Sequence, residues 1–176
     1  MSRKILVVVD VQKDFVTGSL GSKEAAEMMP AVIDYVAAFD GEVVYTLDTH
    51  SVNYMETQEG KNLPVPHCIK GTPGWGPEDG LEDVLKKKNA VCFEKVTFSS
   101  KDLALYLEAE NSKEKIDEIV LIGLCTDICV VSNALTIKGF LPETQLTVVE
   151  ELTEATSREM KAKTLDVLRC CQVKIV

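Results

Sequence analysis

Three residues of different chemistry each stand directly behind a run of aliphatic side chains: Asp10 after Ile5–Val9, Lys95 after Ala90–Phe93, and Cys129 close behind Ile119–Ile122. A carboxylate, an ammonium and a thiol brought to one place can form and break an acyl bond. The thiol attacks a carbonyl carbon, the carboxylate takes its proton and later hands it to a leaving amine, and the ammonium keeps the charges in order. No histidine is required. Cys129 falls at the predicted start of a helix spanning Ile128–Lys138, where unpaired backbone N–H groups and the helix dipole favour a thiolate. Alone, each residue has an ordinary reading: a core thiol, a strand-end cap, a solvated charge. Their shared position at strand ends sets them apart.

A second group lies in one segment. Asp48, His50 and His67 supply a carboxylate and two imidazoles, a mixture suited to zinc, iron or manganese, and these are the two histidines of the whole chain. From Asp48 to Asp79 the sequence is rich in Pro, Gly, Asn and Glu and has no clear period, so it reads as a long functional loop.

The elements that must position these residues alternate. Ile5–Val9, Val43–Leu47, Ala90–Phe93, Ile119–Ile122, Leu146–Val149 and Val173–Val176 are nearly continuous aliphatic runs, as expected of strands buried on both faces of a parallel sheet. Between them, helices are predicted at about Lys23–Phe39, Leu81–Lys87, Lys101–Glu108, Ile128–Lys138 and Ser157–Arg169. The expected fold is a three-layer α/β/α sandwich with a six-stranded, mainly parallel sheet. One domain over residues 1–176, with a metal and substrate loop at about 48–79, accounts for all 176 residues. In such sheets ligands bind outside the carboxyl ends of the strands, which is where the reactive residues fall.

Composition narrows the function. With 28 acidic and 19 basic residues the formal charge is −9, and that field opposes nucleic acid and anionic membrane partners. The first apolar run is too short for a signal or a membrane span, so a cytoplasmic protein acting on a small molecule is expected, with homo-oligomer formation left open. Six cysteines without a CxxC spacing fit buried or catalytic thiols in a reducing compartment, and adjacent Cys170 and Cys171 read as packing residues. The turn after the first strand reads Asp10-Val11-Gln12-Lys13, which is no glycine-rich phosphate loop.

Taken as motifs, VDVQKDF (Val9–Phe15), DTH (Asp48–His50), PHCIKGT (Pro66–Thr72), FEK (Phe93–Lys95) and GLCTDICV (Gly123–Val130) resemble the isochorismatase-like cysteine hydrolases, and within them the nicotinamidases. The resemblance covers nearly the whole chain and implies a catalytic triad of Asp10, Lys95 and Cys129. It implies a cis peptide at Leu124–Cys125 and an oxyanion hole made by the backbone N–H groups of Cys125 and Cys129. It also implies one divalent metal ion, zinc ahead of iron or manganese, held by Asp48, His50 and His67 with Glu59 as fourth ligand and Glu56 as second choice. Phe15, Phe98, Leu63 and Trp75 are then candidates to contact substrate. Leu63-Pro64 stands where many of these enzymes carry an aromatic residue. The implied reaction is hydrolysis of nicotinamide to nicotinate and ammonia through a Cys129 thioester, as in pyridine nucleotide salvage. The alternatives are another small-amide or carbamoyl hydrolase and, from a different class, a non-catalytic small-molecule-binding α/β protein.

Overall fold

A computed structural model describes residues 2–176. Six strands form one sheet: β1 (Lys4–Val9), β2 (Glu42–Asp48), β3 (Val91–Lys95), β4 (Glu118–Leu124), β5 (Gln145–Glu154) and β6 (Lys174–Ile175). Their order is β3-β2-β1-β4-β5-β6 and every pairing is parallel. The chain therefore winds outward from β1 in both directions. The direction of winding reverses between β1 and β4, which opens a crevice at their carboxyl ends.

Strand pleating explains the three layers, because alternate side chains point to opposite faces. Ile5, Val7 and Val9 pack with Leu103 and Leu107 of α5 (Lys101–Lys113), Ile137 of α6 (Val131–Phe140) and Leu165 of α7 (Arg158–Cys170). Leu6 and Val8 face the other way, onto Met28, Val32 and Val36 of α2 (Lys23–Ala38) and Leu81 and Leu85 of α4 (Leu81–Lys87). Both faces of the sheet are thus covered, as the continuous apolar runs require. Hydroxyl caps start the long helices: Ser22, Ser100 and Ser157 accept from the backbone N–H groups of Ala25, Leu103 and Met160, each contact worth about 1 kcal/mol.

Two strands are longer than the apolar runs indicate. β3 continues to Lys95, which is a strand residue rather than one beyond the strand, and β5 runs to Glu154. The β3 extension is polar, and the β5 extension is polar but for the buried Leu152, so neither continues the aliphatic run. The register places Val9 opposite Gly123 and Asp48 opposite Lys95. Gly123 has φ +117, and a Cβ there would lie 2.1 Å from the carbonyl oxygen of Val9, so β4 can close on β1 only with glycine at this position.

The segment 48–79 is more ordered than its sequence indicates. It contains a 3₁₀ turn at Tyr54–Glu56, the short helix α3 (Gln58–Asn62) and a second 3₁₀ turn at Pro73–Trp75, preceded near the amino end of the chain by α1 (Lys13–Val16). Elements of three to five residues are too short to display a hydrophobic period. No helix among the described residues is long and apolar enough to cross a membrane.

Candidate active site

The carboxyl end of β2, the connection after β3, the turn after β4 and the end of β5 line one cleft of about 940 Å³, and Asp10 and Lys95 lie buried beside it, with Lys95 touching Cys129 of its wall. Asp10 follows β1 directly in a left-handed backbone conformation, φ 47, that non-glycine residues seldom adopt. Its side chain is wholly buried. Thr46 of β2 fixes it from two sides, donating its hydroxyl to Asp10 Oδ1 at 2.6 Å and accepting from the Asp10 N–H at 3.2 Å. Lys95 Nζ lies 2.7 Å from Asp10 Oδ2, donates to the Thr97 carbonyl at 2.9 Å, and reaches Cys129 Sγ at 3.5 Å. The contact with Oδ2 is an ion pair without hydrogen-bond alignment, so this oxygen keeps an acceptor site with no directed partner.

Cys129 is buried in the π-helical turn Thr126–Val130, which runs directly into α6. The single helix read from the sequence is therefore two forms joined end to end, the wider turn carrying the thiol. The peptide between Leu124 and Cys125 is cis, and the Cys125 carbonyl accepts from the N–H groups of Ile128 and Val130. The ionisation of the thiol differs from the sequence expectation. Burial pushes Cys129 well up and the Asp10 charge adds to this, outweighing the Lys95 ammonium, so the resting form is a thiol. Burial also raises Asp10, against the pull of Lys95. Burial acts to lower Lys95, but the charges of Asp10 and Asp48 outweigh it and hold the ammonium.

On an adjoining wall, Asp48, His50, Glu59 and His67 bring one ligand atom each within 4.8 Å of one another. Asp48 ends β2, His50 pairs in a bridge with Ile69, and Glu59 rides on α3. Both imidazole Nε2 atoms approach Asp48 Oδ2, at 2.9 Å for His50 and 3.4 Å for His67, and Glu59 Oε1 lies 3.6 and 3.7 Å from them. The His67 Nδ1 contact to the Val65 carbonyl, 2.8 Å, fits an N–H donor and so frees Nε2 as a lone-pair donor. His50 Nε2 is buried with no directed hydrogen bond. Two imidazoles and two carboxylates facing one point, one nitrogen unpartnered, fit a divalent cation. Burial opposes ionisation of Asp48, but the close approach of the His50 and His67 imidazoles and the Lys95 charge hold the carboxyl well below its usual range. Glu56, the second choice for a ligand, lies outside this group.

Phe15, Leu63 and Phe98 line the cleft, and the Phe15 ring lies 5.4 Å from that of His67. Trp75 does not line it. Its indole N–H donates to Thr49 Oγ1 at 2.9 Å and its ring packs beside the α2 face of the core, which makes it a packing residue of the loop. The cysteines are also less uniformly buried than their settings indicate: Cys92 and Cys170 are exposed and Cys171 half-buried, because each falls on an outward position.

Several site-building residues carried no individual assignment from sequence. Gln12 is fully buried, donates from Nε2 to the carbonyls of Asp48 and Trp75, and accepts from the Asp48 N–H, locking that strand end. Asp14 accepts from the Cys68 N–H at 2.7 Å and so fixes the segment behind His67. Both belong to the VDVQKDF motif, and the threonine inside the aliphatic run of β2 was the signal for Thr46.

The isochorismatase domain family model matches residues 4–176. A nicotinamidase/pyrazinamidase of Mycobacterium tuberculosis is 28% identical over 195 residues, covering 98% of this chain and 98% of the relative. Among solved structures, the pyrazinamidase/nicotinamidase of Streptococcus mutans superposes with TM-score 0.84 at 28% identity, over 98% of this chain and 99% of that one. The pyrazinamidase of Pyrococcus horikoshii, solved in complex with zinc, gives 0.80 at 24% identity over 99% and 98%. With the family model spanning the sheet, the cleft and both side-chain groups, the chain belongs to the isochorismatase family.

Proposed function

We propose that this protein is a nicotinamidase, hydrolysing nicotinamide to nicotinate and ammonia through a thioester on Cys129. The observation that carries the reading is the buried contact of Lys95 with both Asp10, at 2.7 Å, and Cys129, at 3.5 Å, where Cys129 lines a cleft that a metal-ligand set also lines. The relationship to nicotinamidases from two organisms supports the choice of amide.

Cys129 Sγ attacks the carboxamide carbon while its proton passes to Asp10, whose Oδ2 has acceptor capacity to spare. A resting thiol makes this coupled transfer necessary, because no preformed thiolate is present. The new oxyanion is met by the backbone N–H groups of Cys125 and Cys129. Collapse breaks the C–N bond, and Asp10 returns the proton to departing ammonia. Asp10, again a carboxylate, then takes a proton from water as the water oxygen attacks the thioester carbon. The C–S bond breaks, nicotinate leaves, and Cys129 regains its proton. Lys95 remains cationic throughout and balances whichever of Asp10, the thiolate or the oxyanion carries charge.

Asp48, His50, Glu59 and His67 would hold a divalent ion, zinc in first place from the mixed imidazole and carboxylate set. Such an ion would supply Lewis-acid chemistry suited to a pyridine nitrogen, and would serve to orient the carboxamide rather than to activate water. Phe15 and Phe98 flank the ring, while Leu63 leaves the rim more open than an aromatic residue would.

The test is ammonia and nicotinate production by purified protein given nicotinamide, with the Cys129→Ala variant in parallel. Turnover that depends on Cys129 is expected. A protein that binds nicotinamide without releasing ammonia would overturn the assignment.

A further inference from the structure

The apolar helix α6 contains one buried amide. Asn133 is 1% exposed, and its side chain makes three hydrogen bonds. Nδ2 donates to the carbonyl of Cys129 at 2.8 Å and to that of Phe98 at 3.1 Å, and Oδ1 accepts from the Ser100 N–H at 3.0 Å. Both amide hydrogens and the carbonyl are used, and only nitrogen can sit between two carbonyl oxygens, so the orientation is fixed. A buried asparagine with all these partners ties together whatever it touches.

It touches two parts of the reaction centre that share no strand. Cys129 lies one helical turn before it. The other part is the connection from β3 to α5, residues 96–100, which begins next to Lys95, offers the Thr97 carbonyl to the Lys95 ammonium at 2.9 Å, and carries Phe98 on the cleft wall. Lys95 Nζ lies 3.5 Å from Cys129 Sγ and 2.9 Å from the Thr97 carbonyl, so the connection that Asn133 holds also holds the ammonium that faces the thiol.

We propose that Asn133 is a positioning residue: its side chain clamps the Cys129 turn to the 96–100 connection and so fixes the thiol relative to Lys95 and the aromatic wall. This rests on the reading of Cys129 as nucleophile. Without the clamp the connection relaxes, the Thr97 carbonyl no longer steers Lys95, and the thiol loses its neighbouring cation. Most of the loss falls on the chemical step, since Asn133 holds the turn of the nucleophile and touches none of the metal-ligand group, and a smaller part falls on binding through Phe98.

Asn133→Asp is nearly isosteric and still accepts from Ser100, but sets an oxygen against two carbonyls. Asn133→Ser keeps at most the bond to the Cys129 carbonyl. In the metal-loaded protein, kcat should fall by about 100-fold, the scale of a misplaced nucleophile, with metal content unchanged and a smaller rise in KM through Phe98. In the uncharged Asn133→Ser the pH midpoint for alkylation of Cys129 by iodoacetamide should move upward, which a purely structural role does not require and which no added carboxylate can explain. Parent-like kcat in a folded variant, or a fall in kcat with an unmoved alkylation midpoint, overturns the clamp. Should Asn133→Asp fail to fold, Asn133→Ser decides by the same two readouts. Cys129→Ala separates the two levels: retained turnover there sinks the nucleophile itself, whereas a dead Cys129→Ala beside normal Asn133 variants sinks only the clamp.

Discussion

Asp10 and Asp48 close neighbouring parallel strands, both buried and both within reach of the Lys95 ammonium, at 2.7 and 3.5 Å. Their ionisation is nevertheless driven in opposite directions. Burial wins at Asp10 and raises it, because Lys95 is its single cationic neighbour. At Asp48 burial loses to the close approach of the His50 and His67 imidazoles, and the carboxyl stays well below its usual range. Two carboxylates of one sequence type, one strand apart, are thereby suited to different work: the first to move a proton, the second to remain an anion beside a cation.

The largest effect that would break this distinction is at Asp10. Asp10→Asn keeps shape but cannot shuttle a proton, so kcat/KM for the amide should fall by roughly 10²–10⁴-fold, the usual span of a general acid–base contribution. Lys95→Arg keeps the charge and should cost less, though the planar guanidinium cannot reproduce the contacts to Asp10, Thr97 and Cys129 together. Steady-state kinetics on the three proteins decides it. Parent-like rates for Asp10→Asn would remove Asp10 from the mechanism and erase the contrast with Asp48.

The metal side predicts a different pattern. His50→Ala, His67→Ala and Asp48→Asn should each lower metal content measured by elemental analysis, and Glu59→Ala should lower it less, since Glu59 Oε1 lies farther from both imidazoles than Asp48 Oδ2 does. Chelation should raise KM more than it lowers kcat, leaving Cys129 reactive toward iodoacetamide. A metal-free protein that hydrolyses nicotinamide at the full rate would return both histidines to ordinary loop residues.

The contrast between the aspartates was only half legible in the sequence. Placement was readable, because aliphatic runs end abruptly in Asp10, Asp48 and, after one polar ladder residue, Lys95. The ligand set was readable too, since the chain has two histidines and both fall between residues 48 and 79. Ionisation was not. A helix-start position pointed to a thiolate at Cys129, whereas the depth of burial and the adjacent Asp10 keep a thiol, and depth cannot be read from local sequence. The same holds for Trp75, whose distance from the cleft depends on a 3₁₀ turn too short to leave a period.

The smallest effect sharpens the comparison most directly, through Thr46. Its hydroxyl donates to Asp10 Oδ1 at 2.6 Å and, with Lys95, opposes the upward push of burial. Asp10 must be ionised to accept the thiol proton, so kcat/KM should fall on the acid side as pH drops through the raised Asp10 value. That limb lies above the ordinary carboxylate value of 3.8. Asp48, held below the same value, stays ionised across it. Lys95 is held up, so no matching loss from that group is expected on the mildly alkaline side. The linkage to stability has opposite signs at the two residues. The contribution from Asp10 is full below the unfolded carboxylate value and is lost as pH rises through its raised native one. The contribution from Asp48 is present above the unfolded value and is lost as pH falls through its depressed native one. Thr46→Val removes one hydrogen bond to the charged form of Asp10 and should move the acid limb further upward, by roughly one pH unit for a charge-assisted bond. It should leave metal content unchanged, because Thr46 has no contact with the ligand set. An acid limb that stays in place in Thr46→Val would assign it to some group other than Asp10, and one that moves downward would reverse the role given to the hydroxyl.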